Sequence, residues 1–293
     1  MKKFFLVLAG LFILMGAYAQ DTKEIATGLT GYARADTTQG WKHSGISSLT
    51  FGQTSLTNWA AGGNNTVSGD FIFNASLNYL KDKFFWDNNL ALEYGLLYSS
   101  VSDWQKATDK LNLTSIAGRN ISKAWSVSAL LKFYTQLTKG YNYPDKDHYI
   151  STFMAPGYLD LALGFTYKPN PKYSVFLSPV AERAIFVLND SLSNVGAFGV
   201  DPGKKTKFET GALLLASTTQ TLLTDLNLIS TLDLFTPYNK DFGNIDINWN
   251  VLLSYKINKL MTANLSTTLR YYDKEIQKIQ FKEILGLGFA YQF

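Results

Sequence analysis

An all-β fold, closed as an antiparallel transmembrane barrel of twelve strands, is what this sequence predicts, on three observations. Large apolar residues alternate with small or polar ones at period two over most of the chain. Tight turns alternate with longer, more polar connections. Aromatic residues gather where the alternating segments end. The last fifteen residues, 279–293, show the first most plainly: Leu285, Leu287, Phe289, Tyr291 and Phe293 alternate with Gly286, Gly288, Ala290 and Gln292. A strand sends successive side chains to opposite faces, so this run has one greasy and one lean face. A helix would scatter the same residues around its circumference.

Composition agrees. The 293 residues are 46% hydrophobic and 15% aromatic, yet the mean hydropathy is only −0.04. That is too polar for a helical membrane protein and too aromatic for an average soluble one. The length suits one large β unit. There are no cysteines, so a disulfide framework, a thiolate metal site and a lipidated N-terminus are all excluded. Net charge is +4, two of the positives being Lys2 and Lys3, which gives no case for a nucleic-acid partner.

In chain order, Met1-Lys2-Lys3, the apolar run Phe4–Met15 and Ala17-Tyr18-Ala19 before Gln20 have the layout of a secretory signal peptide, 1–19, cleaved after Ala19. The apolar run is too short for the ~20 residues of a spanning helix. Residues 20–43 read as a periplasmic lead-in and 44–293 as the barrel. The period-2 segments are 45–56, 67–80, 84–99, 106–120, 123–138, 157–168, 172–188, 204–218, 221–236, 243–257, 260–273 and 278–293, with a change of phase near Pro179 ascribed to a bulge.

The tight turns are expected at 81–83, 121–122, 169–171, 219–220 and 258–259. The longer connections are 57–66, 100–105, 139–156, 189–203, 237–242 and 274–277. Short periplasmic turns against longer outer loops, over an even strand number, is the layout of a bacterial transmembrane barrel, with both termini on the periplasmic side. Tyr79, Phe84, Trp86, Trp125, Tyr167, Tyr173, Tyr255, Tyr291 and Phe293 fall near the short turns. Tyr98, Trp104, Phe235, Tyr238 and Tyr271 fall at the other end, as two interfacial girdles require.

The opposite face should line the lumen. It carries Asp70, Asp87, Glu93, Asp160, Glu209, Asp225, Asp233 and Asp246 against Lys110, Lys132, Lys168, Lys256, Arg270 and Lys282, among Asn residues and with Leu80, Leu97, Leu130, Leu213, Leu215, Leu223 and Leu252. Both charge signs mixed with Leu predict a narrow or blocked lumen rather than a wide passive pore.

Catalytic groupings are thin. His148 with Ser151 and Asp145 or Asp147 would suit a lipid hydrolase, and His43 suits nothing. A nucleophile needs its base within hydrogen-bond reach and a third group to orient it. A solvated loop histidine explains His148 better. No cofactor, metal site or enzyme activity is expected.

The most distinctive connection is Asn58-Trp59-Ala60-Ala61-Gly62-Gly63-Asn64-Asn65, in which paired glycines permit turns closed to other residues. It reads either as a capping loop or as a recognition surface. A terminal strand ending on Phe293 resembles the closing strand of bacterial outer-membrane barrels. The octet, with Trp86-Asp87-Asn88, Thr135-Gln136, Gly140-Tyr141, Ala155-Pro156-Gly157-Tyr158 and the Tyr291-Gln292-Phe293 end, resembles a Bacteroidota outer-membrane family of unknown function over roughly 41–293. The resemblance implies a barrel in the outer membrane and brings no activity. The expected role is non-catalytic, structural or docking, with outer-membrane lipid and another outer-membrane or surface protein as partners. A transport barrel for a small solute or apolar molecule is the alternative, and a lipid hydrolase a distant third.

Overall fold

The computed structural model describes residues 39–56, 64–170, 172–238, 243–258 and 261–292. In chain order its strands are β1 (Gly40–Thr54), β2 (Thr66–Lys81), β3 (Phe84–Ser99), β4 (Asp103–Asn120), β5 (Trp125–Thr135), β6 (Gly140–Tyr141), β7 (Tyr149–Ser151), β8 (Gly157–Asn170), β9 (Tyr173–Phe186), β10 (Thr206–Leu223), β11 (Leu226–Pro237), β12 (Asp246–Lys256), β13 (Met261–Tyr272) and β14 (Ile276–Gln292). Twelve of them form one closed antiparallel barrel, each beside its neighbour in sequence, and β1 pairs with β14 from Ile46↔Gln292 to Phe51↔Leu287. The remaining two, β6 and β7, make a small hairpin in the β5–β8 connection. Closure leaves no unpaired sheet edge, which a bilayer core requires.

The alternation does what the sequence suggests. Along β8, Leu161, Leu163 and Phe165 are exposed while Asp160, Ala162 and Thr166 are buried inside the ring. Each Leu, Val or Phe on such a face would cost about 1.5–3 kcal/mol of unrealised burial in water. Leu49, Leu77, Leu90, Leu113, Leu131, Leu177, Trp249 and Leu285 repeat the exposure around the ring. Hydrocarbon is the solvent that removes this penalty, so the barrel spans a membrane. Indole donors on the same surface are satisfied internally: Trp86 Nε1 donates to Ser115 Oγ (2.8 Å) and Trp249 Nε1 to Ser230 Oγ (2.9 Å). The girdles are ring clusters. Trp41 packs on Tyr79 at 4.9 Å and Trp125 on Tyr167 at 4.7 Å at the short-turn end, and Tyr98 packs on Trp104 at 5.3 Å at the other.

Four details differ from the sequence reading. β1 starts at Gly40, so Gly40–His43 are strand rather than lead-in, and Trp41 joins the periplasmic girdle. The expected turn at 219–220 is strand: β10 runs to Leu223, with Thr221 Oγ1 bonded to Asn227 Oδ1 at 3.0 Å. The run Thr218-Thr219-Gln220-Thr221 is polar, but its threonines are β-branched, and β-branching suits a strand. Leu223 is consequently exposed and Asp225 sits in the turn, so neither lines the lumen as expected. On the opposite side, the β3–β4 connection is only Ser100–Ser102, with Asp103 at φ 60° opening β4.

The bulge near Pro179 is present. The register shifts between Ser178 and Ala181 against β10 and between Leu177 and Val180 against β8. Below it Ser174, Phe176 and Ser178 point inward; above it Ala181, Arg183 and Ile185 do. The β9–β10 loop carries a five-residue helix, α1 (Asp190–Asn194), capped by the Asn189 side chain.

Candidate functional site

The lumen is where the chemistry-bearing side chains meet. On the β2–β5 and β8–β11 walls, Leu80, Phe85, Ile116, Leu130, Phe176, Leu213, Leu215 and Phe235 form a buried apolar cluster. Gly118 admits the ring of Phe85, because a Cβ there would come within 2.7 Å of it. Against this cluster sits Arg183. Its Nε and Nη2 donate to the two carboxylate oxygens of Asp160 (2.7 and 3.0 Å), its Nη1 donates to Asp246 (2.8 Å), and its guanidinium stacks on Phe235 at 4.0 Å. Planar, two-toothed pairing of this kind is what arginine does best.

Several contacts cross the lumen. Arg270 on β13 donates through Nη1 to the hydroxyl of Tyr134 on β5 (3.3 Å). These strands lie half-way round the ring from one another, through β12, β11, β10, β9 and β8. Arg270 Nη2 is bound to Glu275, whose carboxylate also accepts from Tyr158 Oη (2.7 Å) on β8. Lys132 on β5 pairs with Asp233 on β11, and Lys168 on β8 pairs with Asp87 on β3 at 3.1 Å. Tyr272 closes the group, edge-on to Tyr158 at 5.6 Å and under the Arg270 guanidinium at 4.1 Å.

Beside this belt lie two adjoining cavities. A mid-barrel chamber of about 190 Å³ is lined by Ser48, Thr50, Asp70, Asn74, Asn112, Asn264 and the aliphatic groups of Ile72, Leu252 and Ile284. A vestibule of about 360 Å³ towards the outer loops is lined by Lys110, Gln136, Asn248, Thr268, Arg270, Gln280 and Lys282. Gly95 makes room for Asp70 in the chamber wall: a Cβ there would lie 2.0 Å from Asp70 Oδ1.

Of the lumen residues named from sequence, Asp87, Glu93, Asp160, Glu209, Asp233, Asp246, Lys110, Lys132, Lys168 and Arg270 are ion-paired there. Arg183, the most connected of all, was not among them. Strict alternation from the start of β9 sends it to the lipid face, and only carrying the Pro179 phase change forward turns it inward. Tyr134, Tyr158, Tyr272 and Glu275 had no local signal.

Among the loop candidates, Asn58, Trp59, Gly62 and Gly63 lie outside the described residues. Asn64 is exposed. Asn65 ties the loop's base, its Oδ1 accepting from Leu56 N (2.6 Å) and its carbonyl from Ser100 N (3.0 Å). In the β5–β8 loop Asp145 and His148 do meet, Nδ1 to Oδ2 at 3.0 Å. The amides of Asp147 and His148, with the His148 ring, hold the Asp145 carboxyl below its ordinary range. Ser151 Oγ, however, donates to Gln136 Oε1 (3.1 Å), so its hydroxyl proton is engaged away from the imidazole.

A family model described as a protein of unknown function, DUF3078, matches residues 51–141. Among solved structures the chain is similar to the COG4313 outer membrane channel from Pseudomonas putida F1, at 15% identity and TM-score 0.45, covering 88% of this chain and 97% of that one. It is also similar to the translocator domain of autotransporter NalP from Neisseria meningitidis, at 12% and 0.41 over 91% and 93%. With the NanC porin the values are 8% and 0.41 over 84% and 98%. No curated protein matches the sequence.

Proposed function

We propose that this outer-membrane barrel is a non-catalytic component of that membrane, with a lumen too narrow to conduct freely, that docks a partner protein through its outer loops. The observation that carries the reading is the Arg270–Tyr134 contact between opposite walls, backed by Lys132–Asp233. A wide pore leaves opposite walls separated by water; here side chains from them share hydrogen bonds. Purified barrel in planar bilayers should give no steady porin-sized conductance, and a reproducible one would overturn the reading in favour of transport. The polar chamber beside the belt is the one feature that favours that second reading.

Docking rests on the outer loops. The residues around β6–β7 and α1 pack on one another through Ala155, Val187, Leu192 and Val200, all buried. That ordered platform leaves Ile150, Phe153, Leu188 and Val195 exposed. A pull-down from native membranes should recover a second protein, and recovery of the barrel alone at wild-type abundance would remove the docking role. The 58–65 octet is given the role of a cap in this scheme. Trp59→Ala should then lower thermal stability and leave co-purifying proteins unchanged. The leader 1–19 is removed after Ala19, and the chain belongs with the Bacteroidota proteins it resembles; the match over 51–141 supports only a family of unknown function.

A further inference from the structure

The two cavities that adjoin in the lumen are polarised in a way the cross-wall contacts do not explain. In the vestibule, the polar atoms without a partner among the described residues are donors: Arg270 Nε and Gln280 Nε2. In the chamber below they include carbonyl-type acceptors, Asp70 Oδ1 and Asn112 Oδ1. A buried donor or acceptor without a partner is costly, and nature seldom leaves several in one place without a ligand or ordered water to meet them.

Charge shows the same split. Around the vestibule Lys106 pairs with Asp109, Lys110 with Glu93 and Arg270 with Glu275. Lys282 forms no ion pair among the described residues; its Nζ reaches only Thr108 Oγ1, at 3.5 Å, and it is exposed to solvent. Asp70 is likewise without an ion pair there and shares the Thr108 hydroxyl. The arrangement is therefore one cation and one anion, neither in an ion pair among the described residues, on either side of Thr108 and within reach of each other's field.

Register places the donors together. Arg270 faces Gln280 and Thr268 faces Lys282 across the β13–β14 ladder, both pairs on the lumen side. Directly opposed residues have Cβ atoms about 4.5–5.5 Å apart, so a single carboxylate can span the patch. A guanidinium N–H, an amide N–H and an ammonium line the same cavity wall, and donors of these kinds are how proteins hold carboxylates.

We propose that the vestibule and chamber together bind a small amino-acid-type zwitterion, its carboxylate on Gln280, Lys282 and Arg270 Nε and its ammonium towards Asp70 and Asn112. A ligand of zero net charge matches one unpaired charge of each sign. A phosphate dianion would bring two negative charges to Lys282 alone and leave Asp70 unmatched.

The test is titration calorimetry of the detergent-folded full barrel with L-serine, 3-hydroxypropionate, which lacks the ammonium, and ethanolamine, which lacks the carboxylate. L-Serine should bind, and each of the other two should bind at least about tenfold more weakly, the loss expected for a charge-assisted contact. Lys282→Met and Gln280→Met should each weaken L-serine about tenfold while the barrel keeps its heat-modifiable migration. Gln280 holds no cross-wall contact among the described residues and Lys282 only the long one to Thr108 (3.5 Å), so failure to fold is not expected, and Lys282→Arg should restore most of the affinity. Absence of binding heat, equal binding of all three compounds, or undiminished binding in folded Lys282→Met would each overturn the proposal. So would tighter binding of inorganic phosphate than of L-serine.

Discussion

At the scale of single residues, Arg183 has most at stake. Its side chain is buried, and so is that of Asp160, with Asp246 close behind. Removing one partner of a buried ion pair leaves the other charge without compensation, which costs about 3–5 kcal/mol. Arg183→Met should therefore lower the unfolding free energy by about that amount, measured by urea titration of the heat-modifiable band. Adding Asp160→Asn should recover part of the loss, and a double variant no more stable than the single would count against the ion-pair account. Gly95 gives a steric counterpart. A side chain there meets Asp70 Oδ1 at 2.0 Å, so Gly95→Val should destabilise by about 1–3 kcal/mol, and Gly95→Val with Asp70→Ala should do so less.

At the scale of elements, β9 shows what the period-2 pattern carries and where it fails. Ser178–Ala181 holds one residue more than its neighbours oppose, and a one-residue slip exchanges the two faces of a strand. Deleting Pro179 removes that extra residue, so Arg183 should stay on the lumen side and a heat-modifiable barrel should persist; a deletion mutant that cannot fold would refute this reading of the bulge. Truncating Phe289–Phe293 should also prevent assembly, because it removes the β14 residues that Ser47–Leu49 pair with and exposes an edge. The β5–β8 loop is pinned differently. Asp109 accepts from the amides of Leu137 and Thr138 (2.8 Å each) and from Lys106 Nζ (2.9 Å). Asp109→Ala should make this loop protease-sensitive from outside the cell while the barrel's melting is nearly unchanged.

The same loop has a pH dependence of definite sign. Asp145 is held below its ordinary value, chiefly by the Asp147 amide, so its turn is fully formed above the unfolded carboxylate pKa of about 3.9. It loosens as pH falls through the lowered value. Proteolysis near His148 should rise only in that acid range, and Asp145→Asn should remove the pH dependence.

At the scale of the whole molecule, an apolar belt between two aromatic girdles sets the environment, and closure between β1 and β14 makes that environment tolerable to the backbone. The chain should resist carbonate extraction and run as a compact band in SDS until heated; full extraction by alkaline carbonate would contradict the belt. The belt was legible because lipid acts on every strand separately: each outward residue is selected by its own solvent, so the signal repeats twelve times and survives a misplaced turn at 219–220. The turn alternation was legible for the same reason, since Asn, Gly, Pro and Asp mark chain reversals locally.

The interior follows another logic. Arg270 and Tyr134 stand 136 positions apart, and Lys132 and Asp233 stand 101 apart. Which of them meet depends on the stagger of the closed ring and on bulges within β4, β9 and β14, quantities set by the sum of all the strand registers. Sequence alone therefore determined that this chain is a membrane barrel with charges of both signs turned inward. Only the tertiary structure decided which charges pair across the lumen and which, Asp70 and Lys282 among them, are left facing a cavity, because a local pattern selects a face but not the partner on the opposite wall.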